Sequence, residues 1–99
     1  MNTNLSICTS IFKPKNILVT GGCGFIFSNF INYMLSTYND ITIYNIDRLD
    51  YCASPNNINK EIKDTNRYTF YNTDLSSKEL VLDILKTHSI DTVVHGSVL

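Results

Sequence analysis

Asn16-Ile17-Leu18-Val19-Thr20-Gly21-Gly22-Cys23-Gly24-Phe25-Ile26-Phe27-Ser28-Asn29-Phe30-Ile31 is the stretch that decides the fold. A short apolar run ended by glycines is the pattern of a strand buried on both faces. Behind the glycines, from about Gly24 to Thr37, Phe25, Ile26, Phe30, Ile31, Met34 and Leu35 fall on one broad apolar helical face. Strand, glycine turn and helix in series aim backbone N–H groups and the positive end of a helix at one point, where a pyrophosphate is stabilised. In such a turn one glycine makes the bend, a second lets phosphate approach the backbone, and a third lets the helix lie close on the sheet. The spacing here is Gly21-x-x-Gly24, and the third position holds Phe27.

Working outward, Ile41-Thr42-Ile43-Tyr44-Asn45-Ile46 is a second β-rich run that stops at Asp47, 26 residues after Gly21. An acid at that strand end accepts the two ribose hydroxyls of an adenosine. It favours NAD over NADP, whose 2′-phosphate would face the carboxylate; the neighbouring Arg48 softens that preference. Without such a ligand, Gly21 and Gly24 are only a tight turn and Asp47 a solvated strand end.

A weaker helix follows, with Ser54 as its cap, Pro55 at its first position, and Ile58 and Ile62 four apart. Arg67 to Asn72 reads as a third strand. Ser76-Ser77-Lys78-Glu79 has the form of a capping box in front of a helix striped with Leu80, Val81, Ile84 and Leu85. Asp91-Thr92-Val93-Val94-His95 is a fourth strand. The order β-α-β-α-β-α-β predicts an α/β fold, a partial Rossmann-type (doubly wound) parallel sheet with right-handed crossovers and strand order 3-2-1-4. The first two helices then share one face and the third lies on the other. Residues 1–14 read as an N-terminal extension and 15–99 as a truncated nucleotide-binding domain. Strand four would be an exposed edge beside a partly uncovered apolar face, which predicts self-association or a partner, that is, a homo- or hetero-oligomer.

At 99 residues the chain is one small domain; 43% hydrophobic and 17% charged residues argue for a folded core and against disorder. A net charge of −1 gives no basic surface for nucleic acid or an anionic membrane. Asn16 to Asn39 carries no charge and is long enough to span a bilayer, but its glycines and the recurring Ser28, Asn29, Asn32 and Ser36 exclude a transmembrane helix. Cys8, Cys23 and Cys52 have no C-x-x-C spacing and read as free thiols in a reducing compartment, which implies a cytoplasmic protein without a signal peptide. Cys23, beside a helix N-terminus, is either a thiol of lowered pKa or a filler of a variable loop position. His88 and His95 have no ligand partners in sequence, so no metal site is expected. Tyr33, Tyr38, Tyr68 and Tyr71 are expected to pack, and the asparagines, Asn56, Asn57 and Asn59 among them, look like compositional bias.

Thr20 to Ile26, the run Asn45-Ile46-Asp47-Arg48-Leu49-Asp50-Tyr51-Cys52-Ala53-Ser54, Asp74-Leu75 and Val93-Val94-His95 together resemble the extended short-chain dehydrogenase/reductase superfamily. More narrowly, residues 15 to 95 are similar to the N-terminal segment of the dTDP-D-glucose 4,6-dehydratases. The resemblance implies that Gly21, Gly24, Phe25 and Ile26 lie at the pyrophosphate turn and that Asp47, Arg48, Leu49 and Asp50 surround the adenosine ribose. It also implies that Asp74 and Leu75 flank the adenine and that the segment after His95, beginning with Gly96, lines the nicotinamide side. With bound NAD the family oxidises C4 of a nucleotide sugar, eliminates water across C5 and C6, and returns the hydride at C6. Two positions depart from the pattern: Phe27 replaces a glycine and should push the helix off the sheet or force repacking, and Gly96 starts an ending where the family carries an alanine pair. The superfamily's Tyr-x-x-x-Lys pair and the dehydratases' Asp-Glu pair do not occur within these 99 residues, so no catalytic residue is assigned. The chain is therefore expected to be an NAD-binding fragment without turnover; the alternative is an interaction module that docks on a full-length relative or pairs with a separately encoded C-terminal half.

Overall fold

The computed structural model describes residues 14–49, 53–73, 76 and 78–96. Strand β1 (Asn16–Thr20) leads through the glycine turn into helix α1 (Phe25–Thr37), and strand β2 (Thr42–Ile46) follows. A 3-10 turn (Pro55–Asn57), helix α2 (Lys60–Lys63), strand β3 (Tyr68–Tyr71), helix α3 (Lys78–Thr87) and strand β4 (Thr92–His95) complete the order. All strand pairings are parallel, and the sheet order is β3-β2-β1-β4. That is the doubly wound arrangement read from the sequence.

Register explains the layers. Ile17 stands beside Ile43 and Val19 beside Val94, and these side chains face α1 and α2 in a core with Ile31, Leu35, Ile58 and Ile62. Leu18 and Ile46 point the other way, into a second core with Ile84 of α3. The alternation of period two thus sends the first two helices to one face and the third to the other. Among the described residues β4 pairs only with β1, so its outer edge has no partner strand there, and Val93 on it is 54% exposed. Among the described residues no helix is long and apolar enough to cross a membrane.

Three expectations are corrected. The face of α1 that enters the core is Ser28, Ile31 and Leu35, whereas Phe25 and Ile26 at its N-terminus stand 77% and 71% exposed. Tyr33 and Tyr38 are exposed and do not pack. The weak helix after Ser54 splits in two. Ser54 caps the 3-10 turn by accepting from the Asn56 N–H, as its sequence suggests. Ile58 then turns extended, and Asn32 of α1 holds the break: its amide donates to the Asn57 carbonyl and its carbonyl accepts from the Asn59 N–H. Those side-chain bonds replace the backbone bonds a continuous helix would make. Asparagine is therefore structural here, not background. Of the capping box, Ser77 lies outside the described residues.

The end of α1 has no basic residue in its last turn and relies on Arg67, just before β3, instead. Arg67 donates to the carbonyl oxygens of Leu35, Tyr38 and Ile41, at 3.0, 2.8 and 3.3 Å. One guanidinium thereby closes the C-terminal carbonyls of the helix and ties them to the strand that follows. Arg67→Ala should lower stability by about 2 kcal/mol, because charged hydrogen bonds are lost and part-buried carbonyls are left bare. Arg67→Lys should restore only part, since an ammonium does not span three carbonyls. Urea denaturation measures both; a loss below about 0.5 kcal/mol, the range of an ordinary surface substitution, would contradict this role.

Candidate functional site at the glycine turn

Three consecutive amides of the turn point inward at β2. Gly21 N–H donates to the Ile46 carbonyl at 2.8 Å, Gly22 N–H to Asn45 Oδ1 at 2.9 Å, and Cys23 N–H to Asp47 Oδ2 at 2.8 Å. Gly21 takes a φ of 74°, which makes the bend. At Gly22 an added Cβ would collide with Asn45 Oδ1 and stand 2.5 Å from Ile31 Cδ1, so only glycine lets α1, the turn and β2 close on one another. From the other side, the Cys23 carbonyl accepts from the Ser54 N–H and from the Asn57 side chain, at 3.1 and 2.7 Å. The turn is fixed on both flanks.

The next amides are left outward. Gly24 gives α1 no side-chain cap, its first turn holds no acid, and among the described residues the N–H groups of Phe25, Ile26 and Phe27 meet no acceptor. Gly24 itself has an ordinary extended backbone (φ −71°, ψ 167°), and among the described residues a Cβ there would meet only the Gly21 carbonyl oxygen, at 3.6 Å. Nothing among those residues requires glycine at that position. Unpaired N–H groups at a helix start, with the helix dipole behind them, form a site for a diphosphate.

Asp47 stands beside this point and is buried (8% exposed). Besides the Cys23 amide, its carboxylate accepts the Leu49 N–H on Oδ1 at 2.8 Å. With these as its bonds among the described residues, each oxygen keeps a further lone pair, so a vicinal diol can still be accepted. Leu49 pays for that turn with a left-handed φ of 62°, a strain of about 1–3 kcal/mol that the Asp47 bond helps to hold. Arg48 is exposed next to it. Gly21, Gly24, Phe25, Ile26, Asp47 and Leu49 are thus brought together around the turn, while Asp50, Asp74 and Leu75 lie outside the described residues.

Gly96 sits apart, at the end of β4. Its N–H donates to both the Thr20 carbonyl and the Thr20 hydroxyl, at 2.8 and 3.1 Å, and the same hydroxyl shares a 2.7 Å hydrogen bond with His95 Nδ1. The ring of Phe27 lies on it: a Cβ at position 96 would stand 2.5 Å from Phe27 Cδ2. The two departures read from the sequence are therefore one contact. The ring fits because residue 96 is glycine, and at Gly22 the helix stays close to the sheet.

Asn45 and Gly22 escaped the sequence reading. Asn45 is completely buried; its amide donates to Tyr68 Oη at 3.1 Å and to Cys23 Sγ at 3.4 Å while its carbonyl holds Gly22. An amide inside the apolar run Ile41–Ile46 was the available signal, since a buried polar group must have partners. On the opposite face His88 stacks on Tyr44, with ring centroids 4.1 Å apart, and shares a hydrogen bond with Tyr71 Oη.

The chain matches the family described as GDP-mannose 4,6 dehydratase over residues 18–96. It is 42% identical over 84 residues to a trifunctional UDP-glucose 4,6-dehydratase/UDP-4-keto-6-deoxy-D-glucose 3,5-epimerase/UDP-4-keto-L-rhamnose-reductase of Arabidopsis thaliana, covering 85% of this chain and 12% of that one. It is 40% identical over 81 residues to the dTDP-D-glucose 4,6-dehydratase of Homo sapiens, covering 82% and 23%. The crystal structure of dTDP-glucose 4,6-dehydratase from Bacillus anthracis in complex with NAD superposes with a TM-score of 0.79 at 39% identity, over 86% of this chain and 27% of that one. The chain thus spans only a minor part of the length of each of these relatives.

Burial pushes the Cys23 thiol up from 9.0 to about 11, and the Asp47 carboxylate adds to the shift; the Asn45 amide and the Lys63 charge oppose it. This overturns the reading of Cys23 as a thiol of lowered pKa: desolvation and a nearby anion outweigh the helix N-terminus. Burial likewise pushes Tyr68 up to about 12, against its bond from Asn45. Because the folded pKa is raised, Cys23 contributes stability that is complete below pH 9.0 and lost as pH rises through about 11. In a Cys8→Ser/Cys52→Ser background, alkylation of Cys23 at pH 8 should run at least about tenfold slower in the folded than in the urea-unfolded chain. Equal rates in the two states would contradict the buried, neutral thiol.

Proposed function

The chain belongs to the GDP-mannose 4,6-dehydratase family, and on that premise we propose that it is the NAD-binding N-terminal region of a cytoplasmic nucleotide-sugar 4,6-dehydratase-like protein. The observation that carries this reading is the placement of the Asp47 carboxylate at the glycine turn, next to three outward amides. The amides of Phe25, Ile26 and Phe27, opened by Gly21 and Gly24, hold the diphosphate. Asp47 accepts the adenosine ribose hydroxyls, with Arg48, Leu49 and Asp50 around them, Asp74 and Leu75 beside the adenine, and Gly96 on the nicotinamide side. A 2′-phosphate would bring a second anion to Asp47, which favours NAD over NADP.

In a whole enzyme of this family, NAD would supply hydride uptake and return for a sugar substrate. The residues of this chain bind and orient: the turn amides neutralise the diphosphate, and Asn45 and Asp47 keep those amides aimed. None of the described residues forms a Tyr-Lys proton donor, so the chain's own contribution in this reading is the cofactor site. An interaction module has the open edge of β4 and the half-exposed Val93 and Leu82 in its favour. It leaves the glycine at position 24 and the unpaired amides behind it without an explanation.

Isothermal titration should show saturable heat with NAD and weaker binding of NADP. Asp47→Ala should weaken NAD by about 10- to 100-fold, the worth of hydrogen bonds to a charged group. A circular-dichroism melt checks that this variant is folded. No heat at millimolar NAD, or an unchanged affinity in a folded Asp47→Ala, contradicts the proposal.

A further inference from the structure

A diphosphate held at the start of α1 divides any dinucleotide into two halves, and the two halves meet different surroundings. On the β2 side lies Asp47, with acceptor capacity to spare. On the β4 side lies the point where the strand order reverses, between β1 and β4, and in doubly wound sheets the second half of a dinucleotide runs through the crevice above it. Phe27 reaches the end of β4 that borders this crevice. It is the third residue of α1, its own N–H is among the outward amides, and its ring reaches across to Gly96, where a Cβ would lie 2.5–2.7 Å from three ring atoms.

Neither partner of this contact is free to withdraw. The ring packs on the core cluster that includes Val94 and meets Phe30 edge to face, with centroids 6.5 Å apart and planes at 68°. Gly96 is held to β1 by its two hydrogen bonds to Thr20, and Thr20 is held in turn to His95. A group that follows the diphosphate toward β4 therefore finds a phenyl ring seated on the strand end where the sheet pattern calls for glycine and open space.

We propose that Phe27, seated on Gly96, is the specificity-determining residue of this site: the site recognises an adenosine diphosphate and draws no added affinity from the nicotinamide nucleotide half. This rests on the reading of the glycine turn as a dinucleotide site and deepens it. The pairing is reciprocal, because Gly96 makes room for the ring and the ring fills the place a cofactor's second half would take.

Titrations of the wild-type chain with ADP, ADP-ribose and NAD decide the matter without any substitution. The three should bind within about threefold of one another, and nicotinamide mononucleotide should not compete with ADP. In Phe27→Gly the ratio of NAD to ADP affinity should rise about tenfold. The double variant Phe27→Gly/Gly96→Ala, which restores the small pair with a methyl in place of the ring's lost contact, should show the same rise if the single variant does not fold. NAD binding ten times or more tighter than ADP in the wild type overturns the role of Phe27 while leaving the turn as a dinucleotide site. Absence of heat with all three ligands overturns both.

Discussion

The side chains at the end of β2 hold the glycine turn by three successive amides, and the rest of the site depends on that. Asn45 and Asp47 reach across from one strand to Gly22 and Cys23, while the Ile46 carbonyl takes Gly21. Because these bonds are buried, loss of either side chain would strand an N–H with no water to replace the partner. The same constraint explains Gly22: with Asn45 and Ile31 closing on its Cα, no side chain can be accommodated. Once the first amides are committed inward, the following ones at the start of α1 have nowhere to point but outward. The anion site follows from how the turn is tied to its neighbour strand.

A second constraint acts across the sheet. Phe27 and Gly96 are 69 positions apart in the chain, the first a bulky residue at the third position of the turn and the second the start of an ending that departs from the family pattern. Together they make a filled contact, since the ring occupies the volume that a larger residue at 96 would take. Packing of that kind is tolerated when total volume is kept. The specificity proposed for Phe27 rests on the same contact, because Gly96 ends β4, beside the reversal of strand order between β1 and β4.

Much of this was legible in the sequence. The apolar runs Asn16–Thr20 and Ile41–Ile46, the succession of strands and helices, the glycine spacing and Asp47 point to the strand order, the sides on which the helices lie and the acid at the turn. The departures have physical causes. Phe25 and Ile26 match an apolar helical stripe, but the first turn of α1 projects beyond the sheet, so periodicity there does not mean burial. Ile58 and Ile62 match a helix too, yet Asn32 bonds the backbone on either side of the break, an interaction between residues 25 and 27 positions apart that no local pattern displays. For Cys23 a helix start left a lowered pKa open beside the reading as a loop filler, and its burial next to a carboxylate decides against the lowered pKa. Asn45 was readable in principle as a polar residue in an apolar strand; its partners were not.

The turn's amides are divided: Gly21, Gly22 and Cys23 are bonded inward, and those of Phe25, Ile26 and Phe27 are the proposed contacts of a diphosphate. The most direct measurement is a series of 15N–1H correlation spectra of the labelled chain during titration with NAD. Large, saturable shifts are expected for the amides of Phe25, Ile26 and Phe27 and smaller ones for the three already bonded to β2. Amides at the start of α1 that stay in place while others in the chain move, or a spectrum unchanged at millimolar NAD, would contradict it.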